Sequence, residues 1–114
     1  MDTSRAPTYY VERYKDLDNG IGGNIEKWDA HKIIKGWLDL VQGYGANMEG
    51  VFLNAFLQDS THILITDYTT DITNKDRLRD NADNIYNIIL IDDPVNINHH
   101  LEIYLKFTGN KNEL

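Results

Sequence analysis

Leu101, Ile103 and Leu105 alternate with Glu102, Tyr104 and Lys106. A period of two puts successive side chains on opposite sides of an extended chain, so this run predicts a strand with one buried and one solvated face. A strand of that kind needs a sheet that covers one face only, and shorter runs of similar pattern recur along the chain. Residues 8–14 read as a first strand, with Tyr10, Glu12 and Tyr14 on one face and Tyr9, Val11 and Arg13 on the other. Residues 24–28 and 31–41 read as two more, the second with Gly36 inside it, which marks a bulge or a close backbone approach. Ile63-Leu64-Ile65 within 61–68 predicts a strand buried on both faces. Arg77-Leu78-Arg79 alternates again, and the strand at 85–91 is stopped by Asp92-Asp93-Pro94, since proline cannot donate to a ladder.

Turn chemistry separates these runs. Asp18-Asn19-Gly20 and Gly22-Gly23 supply a hairpin or long loop, and Asp80-Asn81-Ala82-Asp83-Asn84 supplies a tight turn. Six or seven short strands at close spacing predict a mainly β chain, a small antiparallel β-barrel, because closure hides strand edges that would otherwise pair with other chains. With 114 residues the chain has room for one core. We expect flexible tails at 1–7 and 108–114 around a single domain at 8–107.

One stretch departs from the β pattern. Met48, Val51, Phe52, Ala55 and Phe56 share the spacing of one helical face, with Leu53 and Leu57 widening it, and Asn47 is placed to cap the first turn. Gly43 and Gly45 precede it and permit backbone angles closed to other residues. The sequence therefore predicts one short helix in a long loop at 42–58. Its apolar face is wider than a small core needs, which points to more than one packing partner.

Chemistry-bearing residues do not assemble into a catalytic pattern. Asp16-Leu17-Asp18-Asn19-Gly20 puts its glycine fifth rather than sixth, and the twelfth position is Lys27, so a calcium loop fails. His31, His62, His99 and His100 lack the spacing of a metal site. Asp67, Asp71, Asp76, Asp80, Asp83, Asp92 and Asp93 fall in predicted turns, where aspartate serves local hydrogen bonding. No nucleophile elbow or phosphate loop is present, and the expectation is a non-enzymatic protein without cofactor or metal. There is no cysteine and no apolar run long enough to span a bilayer. The net charge of −7 opposes a role in gripping nucleic acid, yet it suits a surface past which DNA must slide without sticking. Lys75, Arg77 and Arg79 are candidate interface charges. Together with Tyr9, Tyr10 and Tyr14 they also define an alternative, an oligonucleotide-binding barrel that stacks single strands.

The order of these features resembles a known family. A glycine turn ending Gly22-Gly23 leads to strands bearing Trp28 and Trp37, then a helix-containing loop, then Thr61-His62 opening a β run. Asp71-Ile72-Thr73 comes before Arg77-Leu78-Arg79, and Tyr86-Asn87-Ile88 before the last strand. Over roughly residues 8–107 this is similar to the head-tail connector proteins of tailed bacteriophages, specifically the head-closure or stopper family of siphoviruses. The resemblance implies a virion protein made in the host cytoplasm, forming a dodecameric ring between a portal-adaptor ring and a tail or tail-completion protein. It implies no membrane partner and no sequence-specific binding of the DNA that passes through. It maps a channel-gating loop onto Gln42, Gly43, Tyr44, Gly45, Ala46, Asn47, Met48, Glu49 and Gly50, and inter-subunit packing onto Val51, Phe52 and Phe56.

Overall fold

A computed structural model of the chain describes residues 3–18, 24–40 and 60–113. Six antiparallel strands close into a barrel: β1 (Thr8–Asp18), β2 (Asn24–Leu40), β3 (His62–Asp67), β4 (Arg77–Arg79), β5 (Asn84–Asp92) and β6 (His100–Asn110). Around the barrel the order is β1-β2-β3-β6-β5-β4, with β4 pairing back onto β1. The expected barrel is thus present. The helix expected at 42–58 lies outside the described residues.

The two strands expected at 24–28 and 31–41 are one continuous strand, β2. The register explains why the sequence divides it. Val11 pairs with Lys32 but Glu12 pairs with Ala30, so His31 is an extra residue that bulges without ending the ladder. Such a bulge breaks the alternation that sequence reading relies on. Two further shifts, at Ile85/Tyr86 and Ile88/Leu90, bend β5 against β6.

Inward positions of every strand meet in one core. Tyr9, Val11, Ile34, Leu64, Leu78, Tyr86, Ile88, Leu101, Ile103 and Leu105 form it, with Leu38, Ile72 and Ile91 packed at its margin. Outward positions of β3 are also apolar, Ile63 and Ile65, and they stay only partly covered.

Both segments expected as tails are tied down where they are described. The Thr3 hydroxyl donates to Asp67 Oδ2 at 2.6 Å, Gly36 N donates to Pro7 O at 3.2 Å, and Ala6 is buried. At the other terminus β6 continues past Thr108 to Asn110 and a 3-10 turn follows over Lys111–Glu113. Lys111 N donates to Asp83 O at 2.7 Å and Asn110 Nδ2 to Ala82 O at 2.7 Å. Polar composition concealed these attachments because most of them use backbone groups.

Strand direction sorts the connections into two ends. The tip joining β1 to β2, the β3–β4 loop and the β5–β6 loop share one end; the connection from Leu40 to His62, the β4–β5 turn and both termini share the other. β4 pairs with β1 only from Tyr10 to Glu12, so the β1–β2 ladder from Arg13↔Asp29 to Asp18↔Asn24 extends beyond the barrel as a two-stranded ribbon.

Candidate functional site

Three features stand out on this scaffold, one at each end and one on the wall between. At the end where residues 41–59 join the barrel, Leu40 pairs with His62, which brings the two roots of that segment together. Thr61 anchors the second root: its N–H donates to Leu105 O at 2.7 Å and its hydroxyl accepts Phe107 N–H at 2.7 Å. Inside this mouth the rings of His62 and Tyr86 meet edge to face at 5.3 Å, and Phe107 lies 5.5 Å from Tyr86 and 6.4 Å from His62. Ring contacts of this kind build an aromatic rim. Burial lowers the His62 pKa below its ordinary value of 6.5 and raises that of Tyr86 to about 12, with Asp80 adding to the latter.

A pH prediction follows from His62. The folded state holds the imidazole neutral where the unfolded chain would already bind a proton, so stability is fully present above pH 6.5 and declines as pH falls below it. Melting temperature measured from about pH 8 to about pH 5 should fall, and His62→Gln should flatten that slope. An unchanged slope in the variant would overturn the assignment to His62.

At the opposite end the base of the ribbon is braced. Tyr14 and Trp28 meet edge to face at 5.3 Å, and residues of the β3–β4 loop line a groove with them. Asp76, almost fully buried, accepts from Arg13 Nε at 2.9 Å, Arg13 Nη2 at 3.0 Å and Thr73 N at 2.9 Å. Burial alone would raise the carboxyl's pKa, but the Arg13 guanidinium and the Thr73 N–H overturn that and hold it below the usual range. His31, the bulged residue, reaches Asp71 O at 2.9 Å, and Lys32 Nζ reaches Thr69 Oγ1 at 3.0 Å and the Thr70 carbonyl. An open groove of about 650 Å³ results, lined by Tyr14, Trp28, Thr73 and Lys75 among others.

Between the ends, on the outer wall of β1 and β4, lies a ladder of arginines and aromatics. Glu12, only 7% exposed, accepts from Arg77 Nε at 2.8 Å and Arg79 Nε at 3.2 Å. Arg77 stacks over Trp28 at 4.4 Å, and Arg79 over Tyr10 at 4.5 Å while donating to Asp83 at 3.0 Å. Arg77 and Arg79 thus share one face as expected, whereas Lys75 precedes β4 and lines the groove. The strand is not an edge, because β1 and β5 flank it, and its charges are first paired within the chain.

The three tyrosines do not form one platform. Tyr9 enters the core, Tyr10 lies under Arg79 and its hydroxyl donates to Asn81 Oδ1 at 3.0 Å, and Tyr14 packs on Trp28. That separation removes the main support for a stacking surface for single strands. Among the described residues no group of three metal-ligating side chains assembles. Gln42 to Gly50 and Val51, Phe52 and Phe56 lie outside the described residues. The sequence reads Glu12 only as part of a strand face, Asp76 as a solvated turn aspartate and Thr61 as the start of a β run; their bonding roles depend on partners distant in the chain.

The described residues thus form a closed six-stranded barrel whose β1–β2 ladder runs on beyond β4. Two solved structures are similar in fold. Protein SF1141 from Shigella flexneri 2a, in a solution structure, superposes with a TM-score of 0.71 at 19% identity, covering 94% of this chain and 96% of that one. A chain in the virion of a native gene transfer agent particle gives 0.56 at 15% identity, covering 90% and 94%. No curated protein matches in sequence. A family model described as phage head completion protein matches residues 8–106, and the chain belongs to that family. It is accordingly a structural protein of the phage head, and its place is the virion.

Proposed function

We propose that this chain forms a ring below the portal and its adaptor, closes the DNA channel after packaging and supplies the surface on which the tail docks. The observation that carries the reading is the two-ended barrel. Residues 41–59 leave from adjacent roots at one end and the β1–β2 ribbon projects from the other, so one subunit can face a channel feature and a neighbouring component at once. The net charge of −7 supports passage of DNA without adhesion. In this reading Gln42 to Gly50 gate the channel, with Gly43 and Gly45 absorbing the backbone change. Met48, Val51, Phe52 and Phe56 pack between neighbours, and the portal-adaptor and tail-completion proteins are the partners.

Deleting residues 43–47 tests it. Particles carrying the shortened chain should assemble but lose packaged DNA, measured as the fraction of filled heads by electron microscopy. Heads that remain as full as those with the intact chain would overturn the gating role.

A further inference from the structure

The loop between β5 and β6 presents an apolar tip on a strained backbone. Val95, Asn96 and Asn98 have φ angles of 58°, 56° and 59°. Asparagine tolerates that left-handed region, but for a β-branched valine it is an outlier. The loop is nonetheless fixed, since Asn96 N donates to Asp93 O at 2.8 Å and Asn98 N to Asp93 Oδ1 at 3.1 Å. Every residue from Val95 to His99 is exposed, Val95 at 86% and Ile97 at 64%. Among the described residues, then, no burial of the tip offsets its strain. Strained backbone of this kind clusters at clamps and binding elements, where a preformed shape spares the complex an ordering cost.

A hollow that fits the tip stands at the same end of the barrel. The groove beside the ribbon, about 650 Å³, is mostly apolar, with Tyr14 and Trp28 among its walls, and has room for two aliphatic side chains. Its carboxylates are already engaged: Asp76 accepts from Arg13 Nε and Nη2, and Asp71 from Arg13 Nη1 and His31. Lys75 also lines the groove, and among the described residues no acceptor meets its Nζ. At the tip the balance is reversed. From Asp92 to Glu102 the chain carries three carboxylates and no lysine or arginine. Glu102 has His100 Nε2 at 3.8 Å, whereas Asp92 and Asp93 have no cationic partner among the described residues. Within one copy β4 stands between β5 and β1 around the barrel, and the tip is left in solvent.

We propose that the Val95–Ile97 tip of one copy seats in the Tyr14–Trp28 groove of the next, with Asp92 or Asp93 meeting Lys75 at its edge. The match selects a second copy as the occupant. A fixed apolar projection with spare carboxylates and an apolar hollow with a spare ammonium lie on different sides of one barrel end. Copies standing side by side with that end in common bring the two level. A projection-into-hollow contact repeated in one direction is heterologous, and it generates a ring when the rotation closes. Burial of two aliphatic side chains supplies the affinity, and the ion pair fixes the register. The inference rests on the ring reading above and adds which residues join neighbouring copies.

The chain has no cysteine, so two single-cysteine variants at exposed positions test the contact. Particles assembled from a mixture of Ile97→Cys and Lys75→Cys chains should yield a disulfide-linked dimer under mild oxidation, because that bond forms only between neighbouring side chains. Particles of either variant alone should yield none. Val95→Asn separates docking from folding. Asparagine accepts the left-handed angle, so the melting temperature of the free protein should rise by roughly 5 °C. Copies per particle should nonetheless fall about tenfold, the effect of losing one aliphatic burial. Several copies per particle without the mixed disulfide would overturn this contact while leaving the ring intact, and undiminished incorporation of Val95→Asn would overturn the tip as its anchor. Particles of the unaltered chain with one copy or none would instead overturn the ring reading, and the contact with it.

Discussion

Gly36→Ala is expected to lower the melting temperature by roughly 10 °C, a loss of about 2–3 kcal/mol for a domain of this size. Gly36 faces inward from the middle of β2, opposite Thr66. A Cβ there would lie 2.6 Å from the Ile65 carbonyl oxygen and 2.9 Å from Leu64 Cδ1. A side-chain end can rotate away, but the Ile65 carbonyl belongs to a strand paired on both sides, with Trp37 and with Glu102. The strands would have to separate, and Leu64, with no exposed surface, has no room to follow. Alanine in place of glycine ordinarily gains about 0.4–1 kcal/mol by restricting the unfolded chain, so a loss measures the clash directly. The double variant Gly36→Ala with Leu64→Ala separates the causes. If the backbone oxygen is the obstacle, removing the leucine side chain adds its own cavity cost of about 2–5 kcal/mol and rescues nothing. A double variant more stable than Leu64→Ala alone would show that the contact is not limiting.

Gly36 illustrates what the sequence makes legible. A glycine inside an apolar, β-branched run has few physical explanations, and close backbone approach is one of them. The same holds for the strand around Ile103, where alternation alone fixes which residues enter the core. Bulges are different. His31 adds one residue to β2 without changing its composition, so the pattern reads as two strands where the ladder is continuous. Partners distant in sequence are the other blind spot. Asp76 sits among turn residues and reads as solvated, yet it is buried because Arg13, far away in sequence, folds onto it. Arg77 and Arg79 were legible as a pair on one face, whereas the carboxylate between them depends on β1 and β4 closing the barrel. The family, by contrast, was carried by the order of weak features across the chain, which survives such local errors. Gln42 to Gly50 stand apart, since they fall outside the described residues and their role rests on sequence and resemblance.

Glu12→Gln should destabilise the barrel by roughly 2–4 kcal/mol, the cost of leaving a largely buried charge without its partner. β4 spans only Arg77–Arg79, with three residue pairs to β1 on one side and three to β5 on the other. Leu78 secures it inside and the Glu12 carboxylate pins it outside, receiving Arg77 at 2.8 Å and Arg79 at 3.2 Å. Glutamine keeps the shape but removes the charge that lets two guanidiniums sit side by side. The seam between β1 and β4 is then the place where the barrel opens, and amide hydrogen exchange at Tyr10 to Glu12 should accelerate before exchange in β3 or β6. Added salt should narrow the gap between variant and parent by screening the two arginines from each other. Replacing the whole trio by apolar residues of similar volume should recover most of the loss, because the cost lies in the orphaned charges more than in the missing attraction. A trio variant that stays as unstable as Glu12→Gln would show that the attraction itself, rather than the orphaned charges, carries the loss.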